Sequence, residues 1–271
     1  MNTLKGEKIS DLEFCALDLE TTGTNPVFHR IVEIGMIRFT MGGEEDKYET
    51  LVNPEMDIPE KVEAIHGISD GMVASQPVIA DLLHDVETFM RGSILVVHNP
   101  DFDLSFLAGA FRSNNRPLPR MLALDTVRLA RYAYPDILNH KLDTLCGYLN
   151  IPLSHHRALS DAGGAMGIFK RVMRDLDPRA LWRLSHLLKF HGELVKPRLP
   201  RRKSASLYYS SNFVMGKRVH IRYCDSEGKV TERDILPREF VRFGNTNYLV
   251  AFCYLRNNER YFSTKGILEI G

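Results

Sequence analysis

The order of the apolar segments is the feature that most constrains the fold of this chain. Three strand-like runs follow one another at residues 12–19, 30–40 and 46–53, and breakers between them predict an antiparallel meander. After Pro77 the pattern changes, and helices alternate with strands. The predicted helices are 77–90, 103–112, 127–133, 142–149 and 158–172, and the predicted strands are 93–98 and 122–126. Strands first, then alternation, predict an α/β domain with a mixed sheet.

A segment without periodicity divides the chain. Residues 195–206 (VKPRLPRRKSAS) are rich in proline and basic side chains, which is typical of a linker. A further helix at 179–192 is predicted before it, and four short alternating segments after it predict a small β domain. A length of 271 residues also suits two domains. We therefore predict a first domain over 10–178, a helix and basic linker over 179–210, and a second domain over 211–271.

Charge is distributed unevenly although the formal net charge is only +1. Residues 1–178 carry a net charge of −9, residues 179–210 of +7 and residues 211–271 of +3. An acidic first part joined to a basic second part indicates an anionic partner for the latter. Solvated surface charge is the alternative, and for residues 211–271 it is the favoured one.

Compartment follows from what the sequence does not contain. The N-terminus has no apolar signal core, and no apolar run approaches the roughly 20 residues that span a bilayer. The four cysteines form no C-x-x-C pair, so buried free thiols are expected. These observations predict a cytoplasmic protein without a membrane partner.

The first acidic motif lies at the end of the first predicted strand. Asp18 and Glu20 are two residues apart, so the alternation of a strand directs both carboxylates to the same face. Two adjacent hard oxygen ligands are what Mg²⁺ or Mn²⁺ prefers. Taken alone, the pair reads more readily as two exposed acids at the end of a strand.

Two further motifs supply acids and a histidine. Asp103 falls near the start of a predicted helix, where helix capping would also explain it, and Asp101 competes with it as a candidate. Asp161 lies on another predicted helix among small residues that permit close approach. His156 precedes that helix on a loop, where a neutral imidazole can act as a general base, and His155 stands beside it.

The joint order of these motifs resembles the DEDDh exonuclease family, which contains the proofreading subunit of bacterial DNA polymerase III. The matching segments are 17–23 (LDLETTG), 32–35 (VEIG), 66–68 (HGI), 98–103 (HNPDFD) and 156–161 (HRALSD). A sister group has tyrosine four residues before the last aspartate. This sequence has Arg157 there, so the histidine branch is indicated.

The resemblance covers roughly residues 10–175 and implies a ribonuclease H-like mixed sheet flanked by helices. It implies a metal-dependent 3′–5′ exonuclease with two divalent ions, Mg²⁺ or Mn²⁺, about 3.5–4 Å apart at the scissile phosphate. In that mechanism Asp18 bridges both ions, Glu20 and Asp161 hold the ion on the nucleophile side, and Asp103 supports the other. His156 takes the proton from the attacking water. Expected substrate contacts are Thr21, Thr22, Gly23, His66, His98 and Asn99, with turn structure as the alternative for the first three.

Residues 211–271 resemble a WYL domain, a small SH3-like β-barrel, although Asn247-Tyr248-Leu249 lacks the tryptophan of the name-giving triplet. WYL domains imply a ligand-binding or nucleic-acid-binding module. Aromatic and cationic side chains could stack on a base and pair with phosphate. The candidates in this domain and in the linker are Arg242, Tyr248 and Arg260, and Arg201, Arg202 and Lys203.

The leading hypothesis is an exonuclease that acts on single-stranded DNA, with RNA as a second substrate class. A catalytically silent nucleic-acid-binding regulator is the alternative, and the presence of all five core residues argues against it. A polymerase-associated proofreading subunit is the third hypothesis. Since a β domain replaces any visible polymerase-tethering segment, a separate enzyme that works with DNA repair or replication proteins is preferred. The oligomeric state and the 2′-hydroxyl preference are not readable from the sequence.

Overall fold

The computed structural model describes residues 2–154, 156–198, 203–204, 213–225, 228–243, 246–256 and 258–271. His155, Arg201 and Arg202 lie outside the described residues. The chain divides into two compact units, Met1–Arg198 and Leu199–Gly271. Each unit is described by itself below.

The first unit contains helices of very different length. Its helices are α1 (Asn2–Lys5), α2 (Glu60–His66), α3 (Asp70–Val73), α4 (Ile79–Met90), α5 (Asp101–Ser113), α6 (Thr126–Ala133), α7 (Leu142–Leu149), α8 (Ala158–Leu176) and α9 (Leu184–His191). Among the helices described, none is long and apolar enough to span a membrane.

A five-stranded mixed sheet forms the centre of this unit. Its strands are β1 (Phe14–Thr21), β2 (Ile31–Phe39), β3 (Glu44–Leu51), β4 (Ile94–Val97) and β5 (Ala123–Asp125). The order across the sheet is β3-β2-β1-β4-β5, with β1, β2 and β3 antiparallel and β4 and β5 parallel to β1. The predicted α/β class, mixed sheet and antiparallel meander are confirmed.

Strand β1 explains how the core and the acids share one face of the sheet. Phe14 and Ala16 are fully buried, and Phe14 lies 4.8 Å, between ring centroids, from Phe169 of α8. Alternation places Asp18 and Glu20 on this same face, further along the strand. The first half of the strand therefore anchors α8 through apolar contacts, and the second half presents carboxylates to the start of α8.

Residues 179–198 pack against the first unit. Asp177 accepts hydrogen bonds from the backbone N–H groups of Leu181 and Trp182 at 2.9 and 2.7 Å, which fixes a turn there. Helix α9 consequently begins at Leu184, not at residue 179. Val195 then pairs with Ala123, the first residue of β5, so the chain leaves this unit later than the sequence pattern predicts.

The second unit is a β-sheet of the strands β6 (Lys203–Ser204), β7 (Val219–Cys224), β8 (Val230–Phe243), β9 (Thr246–Cys253), β10 (Asn258–Ser263) and β11 (Ile267–Ile270). The order is β10-β9-β8-β7-β11, and β6 pairs with β8. Its buried residues include Ile221, Ile235, Leu249 and Phe262. The predicted β domain is present. Since no pairing among the described strands joins β10 to β11, the expected closed SH3-like barrel is not confirmed.

Candidate active site

The first-unit sheet brings two acids of β1 opposite two residues of β2. Asp18 pairs with Gly35 and Glu20 pairs with Glu33. The start of α8 packs over this position, so the four residues form the floor of a site that α8 covers.

Gly35 permits this close packing. A Cβ atom built on Gly35 would lie 2.2 Å from the backbone of Ala158 and Leu159 in the first turn of α8. Backbone atoms cannot move aside as a flexible side chain can, so any larger residue would displace the helix. The missing side chain at Gly35 therefore allows Asp161, also in the first turn of α8, to approach Asp18 and Glu20.

Glu33 holds the start of α8 from below and is fully buried. One of its carboxylate oxygens accepts hydrogen bonds from Nε and Nη2 of Arg157 at 3.0 and 2.7 Å, and the other accepts from the backbone N–H of Ala158 at 2.8 Å. A buried carboxylate of this kind needs such partners. The sequence pattern did not predict that Glu33 binds Arg157 or the backbone of Ala158. The available signal was an acid inside the apolar run of β2.

His156 and Asp161 meet Glu20 above this floor. One ligand atom from each of Glu20, His156 and Asp161 lies within 4.8 Å of the others. The backbone N–H of His156 donates to Asp161 at 3.3 Å, and His156 has a left-handed backbone conformation with φ of 66°. Residues other than glycine adopt that conformation only when the surroundings stabilise it. Here the Asp161 bond and the neighbouring Arg157–Glu33 pair do so.

Asp103 reaches the site from the opposite edge of β1. Pairing between β1 and β4 stops at Ala16, so the N–H of Leu19 is free to donate to the Asp103 carboxylate, at 3.1 Å. Asp103 is buried, whereas the competing Asp101 is exposed. Asp103 lies in the first turn of α5 and bonds across to β1, and no side chain caps that helix. The geometry therefore selects Asp103 over Asp101.

Mutual repulsion and burial perturb these carboxyl groups. Burial, followed by Asp161 and Glu33, raises the pKa of Glu20 to about 8 against the opposing effect of Arg157. Burial is also the main cause that raises the pKa of Asp103 to about 8, although backbone N–H groups lower it. The pKa of Asp18 is raised well above its ordinary value by burial and by the neighbouring acids. Such an arrangement is typical of a site that binds cations.

These shifts predict how the stability of the metal-free protein depends on pH. A raised pKa in the folded state means stability that is present below the unfolded pKa, near 4, and is lost as the pH rises through about 8. In EDTA, we expect the melting temperature to fall between pH 5 and pH 8.5. Asp103→Asn should flatten that fall because the amide does not titrate. If the melting temperature of the variant falls with pH as steeply as that of the wild type, the raised pKa of Asp103 is contradicted.

The threonines after Glu20 have structural partners. The hydroxyl of Thr21 donates to the carbonyl of Gly23 at 2.7 Å, and the Thr22 hydroxyl accepts from the N–H of Arg30 at 3.0 Å. Both threonines are buried. Their side chains therefore stabilise the turn, which leaves backbone groups of this segment as the candidates for substrate contact.

His66 ends α2, an element that the sequence pattern did not predict. Its Nδ1 accepts from the N–H of Ile68 at 3.0 Å, and its Nε2 is buried. Burial lowers the pKa of His66, the carbonyl of Thr21 and Glu33 oppose this, and His156 adds to it. The effects of Glu33 and His156 show that His66 lies beside the acidic cluster, and the lowered pKa favours its neutral form.

His98 and Asn99 connect β4 to α5. His98 Nδ1 lies 2.8 Å from the hydroxyl of Thr126, and Asn99 is exposed with φ of 66°. The N–H of Asn99 donates to Asp125, which caps α6. Both residues thus lie at the C-terminal edge of the sheet, where β1 also presents its acids.

The candidate set of the second unit is not brought to one face. Strand pairing aligns Arg242 with Asn247 and Arg260 with Ala251, which lie one and three positions from Tyr248 along β9. Alternation therefore places the two arginines and the tyrosine on opposite faces of the sheet. Lys203 lies in β6, and Arg201 and Arg202 lie outside the described residues.

Two family models match the chain. The exonuclease model RNase_T matches residues 15–169, and the WYL domain model matches residues 213–270. The first match contains the four acids of the cluster and His156. The second coincides with the β-sheet of the second unit.

Curated relatives include DNA polymerase III of the PolC type. The protein of Halalkalibacterium halodurans is 33% identical over 170 residues, which are 62% of this chain and 12% of the relative. That of Oceanobacillus iheyensis is 38% identical over 150 residues, which are 55% of this chain and 10% of the relative. The chain thus matches only about a tenth of the length of these polymerases.

Solved structures with a similar fold are exonucleases. Exonuclease X in complex with 5′ overhanging duplex DNA is 26% identical, with a TM-score of 0.50 over 67% of this chain and 99% of that one. Exonuclease I of E. coli in complex with a dT13 oligonucleotide shares the fold at 16% identity, with a TM-score of 0.57 over 89% of this chain and 55% of that one. The nuclease domain of 3′hExo, a DEDDh family member bound to rAMP, is 20% identical, with a TM-score of 0.54 over 60% of this chain and 92% of that one. Since the RNase_T model matches more than half of the chain, the chain belongs to the RNase_T exonuclease family, and its first unit contains an exonuclease domain.

Proposed function

We propose that the protein removes nucleotides from the 3′ end of single-stranded nucleic acid, with DNA favoured, and releases nucleoside monophosphates. The observation that carries this proposal is the convergence of Asp18, Glu20, Asp103 and Asp161 from three separate elements on one point beside His156. Four carboxylates would repel an anionic phosphate unless cations intervened, so the arrangement suits phosphodiester chemistry only with metal ions.

The residues present fit divalent ions. All four acids offer hard oxygen donors, and the positive charge of Arg157 lowers the pKa of Glu20 without offsetting the effects that raise it. We propose that Asp18, Glu20, Asp103 and Asp161 hold two ions, Mg²⁺ or Mn²⁺. When bound, such ions offset the carboxylate charge and stabilise the charge that develops on the phosphate.

The protein's own groups would carry out the remaining tasks. We propose His156 as the general base that accepts the proton of the attacking water. Glu33 and Arg157 would keep the His156 loop in its left-handed conformation. For the terminal nucleotide we propose contacts with the backbone of Thr21 and Thr22 and with His66.

DNA is preferred as substrate because DNA polymerases are among the relatives and two of the similar exonucleases were solved with DNA. The rAMP complex of another similar nuclease keeps RNA within the proposal as a second class. On the same basis we propose replication or repair proteins as partners. A nucleic-acid role for the WYL domain stays a prediction from the resemblance and from Arg242, Tyr248 and Arg260.

Digestion of end-labelled oligonucleotides tests the proposal. A 5′-labelled single strand should shorten one nucleotide at a time with Mg²⁺ or Mn²⁺ and remain intact in EDTA, whereas duplex DNA and RNA should be degraded more slowly. Asp103→Asn should lose most activity, and the matched control Asp101→Asn, an exposed acid two residues away, should keep it. Internal cleavage, full activity in EDTA, or equal activity of both variants would overturn the proposal.

A further inference from the structure

A second surface of the first unit has a character unlike the acidic site. A groove of about 940 Å³ lies between β3, residues 149–154, Arg157 and the outer side of α8. Five of its lining side chains are cationic and two are acidic, in a unit whose overall charge is negative. The cations are Lys47, Arg157, Lys170, Arg171 and Arg174.

Internal pairing accounts for part of this charge. Both acids of the groove pair with its own cations, Glu44 with Lys47 at 3.0 Å and Glu49 with Arg157 at 3.5 Å, although Arg157 also pairs with the buried Glu33 at 2.7 Å. Arg171 pairs with Asp175 outside the lining, at 3.1 Å. Lys170 and Arg174 are therefore the cations of the groove that form no ion pair with any residue in the described part of the chain.

Lys170 and Arg174 lie four residues apart on α8, so they share one side of the helix. Lys170 extends over the ring of Phe39, with Nζ 5.0 Å from the ring centroid, and is half-buried. Burial lowers the pKa of Lys170, the carboxylate of Glu44 opposes this, and the like charge of Arg174 adds to the lowering. Two adjacent cations that repel each other, and that form no ion pair with the described residues, make a surface that an anion would stabilise.

We propose that this cationic groove holds the sugar–phosphate backbone of the nucleic-acid strand upstream of its 3′ end. The inference rests on the proposed exonuclease function and adds where the substrate lies. The groove begins at Arg157, the residue that follows His156. The groove therefore continues from the active site along α8, and Lys170 and Arg174 supply positive charge that can bind phosphates.

The length of α8 gives the distance that the strand must reach. Arg174 lies 13 residues beyond Asp161, which is about 20 Å at the rise of an α-helix. At about 3.4 Å per phosphate in a stacked strand, that is up to about six nucleotides from the 3′ end. A trinucleotide would fill the active site without reaching Arg174, and a strand of 20 nucleotides would reach it.

Substrate length combined with charge reversal tests this inference. For Arg174→Glu we expect kcat/KM on a 20-nucleotide single strand to fall about tenfold at low salt. The slope of log kcat/KM against log salt should become shallower by about 0.7 for each phosphate that the variant no longer neutralises. Lys170→Gln should act in the same direction. Arg179→Glu, an exposed charge reversal just beyond α8 and outside the groove, should change neither quantity.

The trinucleotide arm separates the two proposals. Each variant should hydrolyse the trinucleotide at the wild-type rate, and circular dichroism should show an unchanged fold because Arg174 is exposed. If the wild-type protein fails on both substrates, the proposed function fails. If Arg174→Glu matches Arg179→Glu on the 20-nucleotide strand, the function stands and the groove is not the path of the strand; an acidic protein partner would then be the occupant to seek.

Discussion

Replacing Asp18 by asparagine should strongly reduce hydrolysis while making the metal-free protein more stable. The amide keeps the shape of the side chain but removes the charge that Asp103, Asp161, Glu20 and Glu33 oppose. A missing metal ligand is expected to cost several kcal/mol of transition-state stabilisation, which is a loss on the order of 10³-fold in kcat/KM. Removing a repelled carboxylate should raise the melting temperature in EDTA at pH 8. Both quantities are measured on the same preparation.

The combination of opposite effects identifies a functional acid. A structural acid that is removed would lower stability together with activity, and a solvated one would change neither. Glu13→Gln is the matched control, because Glu13 is an exposed acid on the residue before β1. Activity retained in Asp18→Asn, or a lower melting temperature in EDTA, would show that Asp18 does not act as proposed.

Local patterns predicted much of the fold because they reflect local physics. The apolar runs of β1, β2 and β4 were placed within two residues of their observed bounds, and α7 was predicted at its observed bounds, 142–149. The two-residue spacing of Asp18 and Glu20 predicted their shared face. Strand β4 is buried on both faces, so its continuous apolar run was the signal, whereas helical periodicity was the signal for α7.

The undetected elements are short or depend on distant residues. Helices α2 and α3 have only seven and four residues, and no side-chain cap marks either start. Two supports of the site are tertiary contacts. Gly35 packs against the start of α8, and Arg157 donates a hydrogen bond to Glu33 across 124 positions of the sequence. No local periodicity encodes which helix will pack over which strand, so these supports of the site became visible only in the structure.

Replacing His156 by alanine should reduce kcat on a single strand by about 10² to 10⁴-fold, the usual contribution of a general base. The affinity of the site for Mn²⁺ should stay near the wild-type value, because the four carboxylates remain. The acidic limb of the pH–rate profile should also disappear with the imidazole. His155→Ala is the control, since it removes the neighbouring histidine, and it should retain activity.

Metal affinity decides between two roles that the geometry permits for His156. Its ligand atom lies within 4.8 Å of those of Glu20 and Asp161, so the same three groups could hold an ion directly. A base takes a proton and leaves the ion in place when it is removed, whereas removal of a ligand weakens binding. Calorimetric titration of His156→Ala with Mn²⁺ measures this. A large loss of affinity would make His156 a ligand, and full activity of His156→Ala together with an inactive His155→Ala would assign the base to the other histidine.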